Sequence, residues 1–522
     1  MVTTRGYSEP TIGILTVGTG VSSQSSVSSG GNLVASQYVA PNGVAATNEL
    51  IEAALARSLH VHLLPGLYPP FQAPVTLPDG AVITASPGVI LQPATSGSVL
   101  MFSGAGRARL SGFTVLISTW VASAKVFSFT LGSKDVLIQD ILWDCETHTQ
   151  GGNAALATLG YITNATPGVV VGSTSTPMVL IDFNRTLRKT VERCTFLPCW
   201  AITCIKTTNG NAYSFRHNQF TNDLEAGIGG TQVAIPRLAY RLIDVEGDEW
   251  GSIFDNRVWA IGDPEVSGIA FFTGGPRLLD AVFRLNGSAA TTVDENGHSH
   301  IQANRIELCA SKKAIRIQGY VSTTVLGNLM GYNGNVCSAL GEAGIVLDCR
   351  DGDTGSPVTT DLSSDTTIVD NDLHNLSTIV AVLDVTPPIV PSFPSEGGSF
   401  VHMQYADRPM VCNNRMNIVL SWFAITIGSA SVRRAHIVGN CFSGGSGDPE
   451  SPIGIIGANN LPDGIFVANN SREAFDTTKP FVYDESNASA AGRRKIMTGI
   501  AVASTGADNG SGLTTNITLD QP

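Results

Sequence analysis

SHIQANRIELC, residues 299–309, places Ile301 three positions before Asn304 and Ile306 two positions after it. The same phrase (apolar, two residues, Asn, one residue, apolar) recurs with Asn218 in FRHNQF, Asn256 in IFDNRV, Asn328 in VLGNLM, Asn371 in IVDNDL, Asn414 in VCNNRM and Asn440 in IVGNCF. Looser members centre on Asp140 in LIQDIL, Cys194 in VERCTF and Asn469 in FVANNS. The shortest step is 24 residues, from Cys194 to Asn218 and again from Asn304 to Asn328, and the other steps carry additions. So short a step, built of alternating strands rather than helices, predicts a β-solenoid whose coils bury their inner faces on one another. Asn suits a tight turn because it tolerates left-handed backbone and bonds nearby backbone groups, so the repeated Asn is expected to be a structural ladder.

Composition points the same way. Only 14% of residues are charged and 55 are Gly, the profile of strand-rich, turn-rich material. A chain of 522 residues could hold several domains, but the repeat covers about 110–475 as one body. The net charge of −12, with only short basic pairs such as Arg433–Arg434 and Arg493–Arg494, argues against a nucleic-acid partner. No apolar run approaches the ~20 residues of a membrane span. The start, MVTTRGYSEPTIGIL, has neither the basic region nor the apolar core of a signal peptide, so synthesis in the cytoplasm and no membrane association are expected. Nine cysteines, an odd number, fit buried thiols better than a disulfide framework. Cys194, Cys199 and Cys204 lack paired ligand spacing, and neither a metal nor another cofactor is expected.

Residues 42–68, NGVAATNELIEAALARSLHVHLLPGLY, contain a short helix capped by Thr47, with Leu50, Ile51, Ala54 and Leu55 on one face. A strand then ends at Pro65–Gly66. This arrangement resembles the opening of pectate-lyase-like right-handed β-helices found in bacteriophage tailspikes, with Asn42–Gly43 and Ala45–Ala46 where that family has Asp-Gly and further aspartates. The resemblance implies a right-handed parallel β-helix with a capping helix, a virion location, other virion proteins as partners, a bacterial surface polysaccharide as ligand, and a homotrimer. It divides the chain into a leader, 1–40, whose SSQSSVSSGG reads as a flexible joint to the particle, a β-helix body, 41–475, and a subunit-pairing segment, 476–522. Polygalacturonase motifs are echoed only at Gly297–His298 and Arg316–Ile317, and DCRDGD at 348–353 lacks the periodicity of a calcium loop.

Side chains alternate along a strand, so each coil presents an outward row. Twelve residues before ladder positions 194, 218, 256 and 328 stand Asp182, Lys206, Asp244 and Arg316, and the insertion-bearing coils offer Arg284 and Asp348 as equivalents. The same count from Asp140 reaches Ser128. Two residues on lie Asn184, Thr208, Glu246, Asn286, Gln318 and Arg350. Asp244 and Glu246 share one strand face, about 6.5–7 Å apart at the backbone, near the short end of the ~6.5–9.5 Å carboxylate separation of inverting glycoside hydrolases. They are the candidate catalytic pair, with Asp182 as alternative partner. Lys206, Trp250, Trp259, Arg284, Arg316, Gln318, Asp348 and Arg350 are the candidate sugar-binding residues. The plainer account of the strip is a cross-strand charge ladder of a few tenths of a kcal/mol per pair. The inserted segments NDLEAGIGGTQVAIPRLAY, 222–240, and DVTPPIVPSFPSEGG, 384–398, are candidate binding loops. A non-enzymatic structural or adhesive virion β-helix and a secreted carbohydrate-active enzyme are the rival functions.

Overall fold

The computed structural model describes residues 15–17, 21–27, 33–94, 98–118, 121–145, 176–198, 202–221, 240–259, 280–287, 297–307, 311, 313–331, 344–352, 356–376, 399–418, 423–428, 431–444, 452–455, 464–473, 481–484 and 497–499. Among these residues the coils of the solenoid visit three long sheets in turn. One coil, for example, runs through Asn211–Arg216 in the first sheet, Gln219–Thr221 in the second and Arg241–Glu246 in the third. The second and third sheets have 13 strands each, all parallel, and the first has 17, including the N-terminal strands. Strands buried on the inner face need apolar side chains at alternate positions, and Ile253, Ile301, Val325 and Ile368 form one such inward line, each fully buried. The extra residues of several longer coils enter between a second-sheet and a third-sheet strand, at 146–177, 222–240, 260–280, 332–344 and 377–400. The flanking strands keep their parallel pairing, with a register shift between His374 and Leu376 at the edge of the last insertion.

The Asn column is continuous from Asn218 to Asn470. Asn304 shows the pattern: its backbone N–H donates to Asn328 Oδ1 at 2.9 Å, and its Nδ2 donates to the same oxygen and to the Ile253 carbonyl, both at 2.9 Å. Its own Oδ1 accepts from the backbone N–H of Asn256 at 3.0 Å and from Asn256 Nδ2 at 2.9 Å. Both amide donors and the acceptor are thus used, inside a structure where Asn304 is 1% exposed. The left-handed residue is not the Asn but the one before it: His217, Asp255, Ala303, Asp370 and Asn413 have φ between 48° and 57°. Two expected ladder members are accordingly off by one. Asp140 (φ 54°) and Asn469 (φ 54°) belong to the outer left-handed column, and the ladder positions are Ile141 and Asn470. With period-two alternation a one-residue slip exchanges inside and outside. Ile138 and Val467 are buried as the true register requires.

The capping helix spans Thr47–Leu55 and buries Leu50, Ile51 and Ala54. Thr47 does not cap it; it is buried, and its hydroxyl donates to the Pro69 carbonyl. Val21–Val27 pairs antiparallel with Leu33–Val39, so a hairpin stands where a flexible joint was expected, and Leu33–Val39 pairs in parallel with His60–Leu63. At the other end Val482–Asp484 and Met497–Gly499 continue the third and first sheets beyond residue 475. The interior carries one polar knot. Lys189 Nζ lies 2.8 Å from Asp248 Oδ1, with both side chains fully buried, and Asp248 also accepts from Thr207 and the Gly210 N–H. Burial pushes the Lys189 pKa down and the Asp248 pKa up, so desolvation outweighs their attraction.

Asn304→Ala should lower unfolding stability by about 1–3 kcal/mol, because it strands the Asn256 donors and the Ile253 carbonyl. Asn304→Asp should be worse, and increasingly so above pH ~4, where the carboxyl ionises in the unfolded chain while burial with no donor on that side resists its ionisation in the fold. Ala303→Gly should stabilise slightly by relieving the left-handed backbone. Lys189→Met alone should cost about 3–5 kcal/mol and be partly rescued by adding Asp248→Asn. Thermal unfolding midpoints across pH test all of these.

Candidate functional site

The outward row of the third sheet follows the predicted count through most of its length. Ser128, Asp182, Lys206, Asp244, Arg284 and Arg316 stand in register on successive strands. It then departs from it. Arg316 is beside Val346, while Asp348 is beside Gln318 in the second row, Asn184–Thr208–Glu246–Asn286–Gln318–Asp348. Arg350 has left the sheet, with Nη1 2.9 Å from Asp361. Both residues were expected one pleat earlier, because the length of an insertion cannot be subtracted from a sequence without its anchor points.

The strip is charged but largely buried. Asp182 is 3% exposed, Asp244 2%, Arg284 6% and Arg316 4%, contrary to the exposed row expected from alternation. Charges so placed must pair. Asp244 Oδ1 accepts from Arg284 Nε at 2.7 Å and Oδ2 from Arg241 Nη1 at 3.2 Å. Arg241 also donates through Nε to Asp280 at 2.7 Å and lies over the Tyr240 ring, 4.5 Å from its centroid. Lys206 approaches Glu246 at 3.5 Å, Arg284 approaches it at 3.8 Å, and Lys125 bonds Asp182 at 2.5 Å. Burial disfavours ionised Asp244, but the charges of Arg284, Arg241 and Lys206 outweigh it and hold the pKa far below the ordinary value of 3.8. Asp244 is therefore an anion throughout the neutral range.

A cavity of about 720 Å³ opens on this face, lined by Lys125, Asp182, Lys206, Tyr240, Arg241, Asp244 and Arg284 among others. Four predicted residues, Asp182, Lys206, Asp244 and Arg284, thus meet at one place, and Glu246 borders it through Lys206 and Arg284. Arg316, Gln318, Asp348 and Arg350 lie farther along the solenoid, where Arg316 pairs with Asp348 at 2.8 Å. Trp250 and Trp259 are on the first and second sheets and do not line the cavity. Arg241 escaped the sequence reading for a geometric reason. Strict alternation puts it opposite Asp244, but Leu242 and Ile243 are both fully buried and the pairing register skips Leu242, so the strand turns a corner and Arg241 emerges beside Asp244. Cys204 repeats that corner as a buried free thiol. The candidate binding segments 222–240 and 384–398 lie outside the described residues, except for Tyr240. Among the described residues no group of three His, Cys, Asp or Glu side chains converges on a metal position, and no helix is long and apolar enough to cross a membrane.

No family model and no curated protein matches the sequence. Solved structures do. The N-terminal fragment of bacteriophage Phi29 gene product 12 is similar with a TM-score of 0.51 and 11% identity, over 85% of this chain and 70% of that one. The A-module of the Azotobacter vinelandii mannuronan C-5 epimerase AlgE4 matches at 0.44 and 12%, over 89% and 97%. Tailspike protein 3 of bacteriophage CBA120 matches at 0.41 and 10% over 87% of this chain, which spans only 59% of that protein. At 11% identity the likeness to the Phi29 fragment is one of fold, and with the parallel three-sheet coil it shows the chain to be a right-handed parallel β-helix.

Proposed function

We propose that the protein recognises a bacterial surface polysaccharide in the third-sheet cavity, as the body of a trimeric virion spike. The carrying observation is the cavity itself: about 720 Å³ of space lined by fixed cations, fixed carboxylates, an aromatic ring and small polar side chains. Sugars are bound by such walls, which supply donors and acceptors in set directions to many hydroxyls, and ion pairing holds these side chains before ligand arrives. The entry of successive insertions along the margin of the same sheet supports the reading, since loops on a rigid scaffold can vary a binding surface without disturbing the core. The tailspike-like capping segment at 42–68 supports the virion setting and the homotrimer.

A hydrolytic version assigns roles by charge state. Asp244, held as an anion by Arg284 and Arg241, is excluded as the acid and is too weak a base to activate water well, so its charge would serve to stabilise the positive charge that develops on the sugar ring. Asp182, two rungs away at ~9.6 Å by strand spacing, or Glu246 would then protonate the leaving oxygen. The adhesive alternative needs only recognition.

The test uses a panel of purified capsular polysaccharides and O-polysaccharides, with binding and new reducing ends measured separately. Lys206→Ala, in a half-exposed position, should weaken binding about tenfold or more with little change in melting temperature; absence of binding to every member by wild type would sink the proposal. Asp244→Asn should abolish any cleavage and also lower the melting temperature, because it leaves Arg241 and Arg284 without their shared anion. Since the folded pKa of Asp244 is depressed, its stabilisation is complete above pH ~4 and is lost as pH falls toward the folded value. The melting gap between wild type and Asp244→Asn should therefore narrow on acidification.

A further inference from the structure

A second feature lies on another face. At the corner where the third sheet passes to the first, Asp135, Arg188, Ala212, Trp250, His298 and Ser322 occupy the same register on successive coils, all with φ between 48° and 58°. Other rungs of this column close on themselves: Arg188 grips Asp135 at 2.6 and 2.8 Å, and Arg408 grips Asp365 at 2.5 Å through both nitrogens. Among the described residues, Trp250 does so on one side only. Its indole stacks on His298, with centroids 4.3 Å apart and planes 12° from parallel, and on the preceding coil the same register position is Ala212, whose side chain is a single methyl. Trp250 remains 59% exposed.

Rungs are ~4.8 Å apart, so the backbones at Arg188 and Trp250 are ~9.6 Å apart, and among the described residues the rung between them carries only the Ala212 methyl. A ring in van der Waals contact on both faces needs about 3.5–4.0 Å on each side, or about 7–8 Å in all. The gap therefore admits one ring. Its surroundings select a sugar. Ser214 and Ser252 present outward hydroxyls on the first sheet, 3.5 Å from each other, while Asn211 and Glu249 stand at the position before Ala212 and Trp250. The exposed Leu187 in that adjacent column is separated from Glu249 by Asn211, so no continuous apolar surface forms as a subunit contact would need.

We infer that the Trp250–Ala212 step is a stacking subsite for a single pyranose ring, separate from the third-sheet cavity. The C–H face of the sugar packs on the indole and its hydroxyls meet Ser214, Ser252, Asn211 and Glu249. The inference rests on the polysaccharide reading and adds a second point of contact on a different sheet.

Labelling the full chain with 5-fluorotryptophan gives each of its six tryptophans a ¹⁹F signal, and Trp250→Phe identifies the one from Trp250. The probes are the methyl pyranosides of glucose, galactose, mannose and N-acetylglucosamine. At least one should shift the Trp250 signal saturably, and Ala212→Arg, which fills the gap while retaining Trp250, should weaken that response at least tenfold. A Trp250 signal unmoved by all four probes, or a response unchanged in Ala212→Arg, overturns the subsite. A change of oligomeric mass in Ala212→Arg without any sugar response assigns the step to subunit contact and also overturns it. The polysaccharide panel reads the cavity independently: binding lost in Arg284→Ala but unchanged in Ala212→Arg, with a silent Trp250 signal, would leave the proposed function standing without this subsite.

Discussion

The amide-to-amide bond between successive Asn side chains is the constraint on which the rest of the molecule depends. A buried carboxamide has two donors and an acceptor that must all be met, and in this column the partners are the coils on either side, as in Asn256–Asn304–Asn328. The bond holds over sequence steps as different as 24 and 48 residues. What the chain does between two Asn residues is therefore free to vary, while the place where each coil rejoins the stack is set to a single residue. Every outward row inherits that register, including the one that brings Asp182, Lys206, Asp244 and Arg284 to one cavity.

Charge is then distributed according to what each face can satisfy. Inside, Lys189 and Asp248 persist only as a mutually bonded pair, with Thr207 and Gly210 completing the carboxylate. On the third sheet the outward residues alternate in sign from rung to rung, Asp182, Lys206, Asp244, Arg284, so neighbours ~4.8 Å apart neutralise one another although most are removed from solvent. The ion pairs hold these side chains in place, Asp244 in particular between Arg241 and Arg284. At the corner where the third sheet passes to the first, some rungs of the left-handed column close through Arg–Asp pairs, while Trp250 stacks on His298 and stays 59% exposed. Both features come from stacking identical backbone positions, and they differ only in whether each rung finds its partner above and below.

The solenoid, the Asn ladder and the members of the outward row as far as Arg316 were legible in the sequence, because period-two alternation and a repeated polar residue are local patterns that stacking reproduces in space. The slips have equally local causes. Asp140 and Asn469 each sit one residue before the position that enters the ladder, and at both places the motif also tolerates the neighbouring register: LIQDIL has both Leu137 and Ile138, and FVANNS has two adjacent asparagines. Asp348 and Arg350 were misplaced by two because an inserted coil has no fixed length to count through. Arg241 was missed because a corner places two consecutive side chains inward, which alternation cannot represent.

By itself the sequence determined the fold class and, on strands without a corner or a preceding insertion, which residues face outward, since both follow from the spacing of apolar side chains along one strand. Only the tertiary structure decided that the outward strip is buried and ion-paired, that Arg241, Tyr240 and Lys125 complete its cavity, and that Trp250 and Trp259 stand on other sheets. Those properties depend on residues tens of positions apart, such as Lys125 and Asp182 or Arg188 and Asp135, brought within 3 Å by the closure of whole coils. Burial and partnership are set by that closure, and the alternation of one strand carries no record of it.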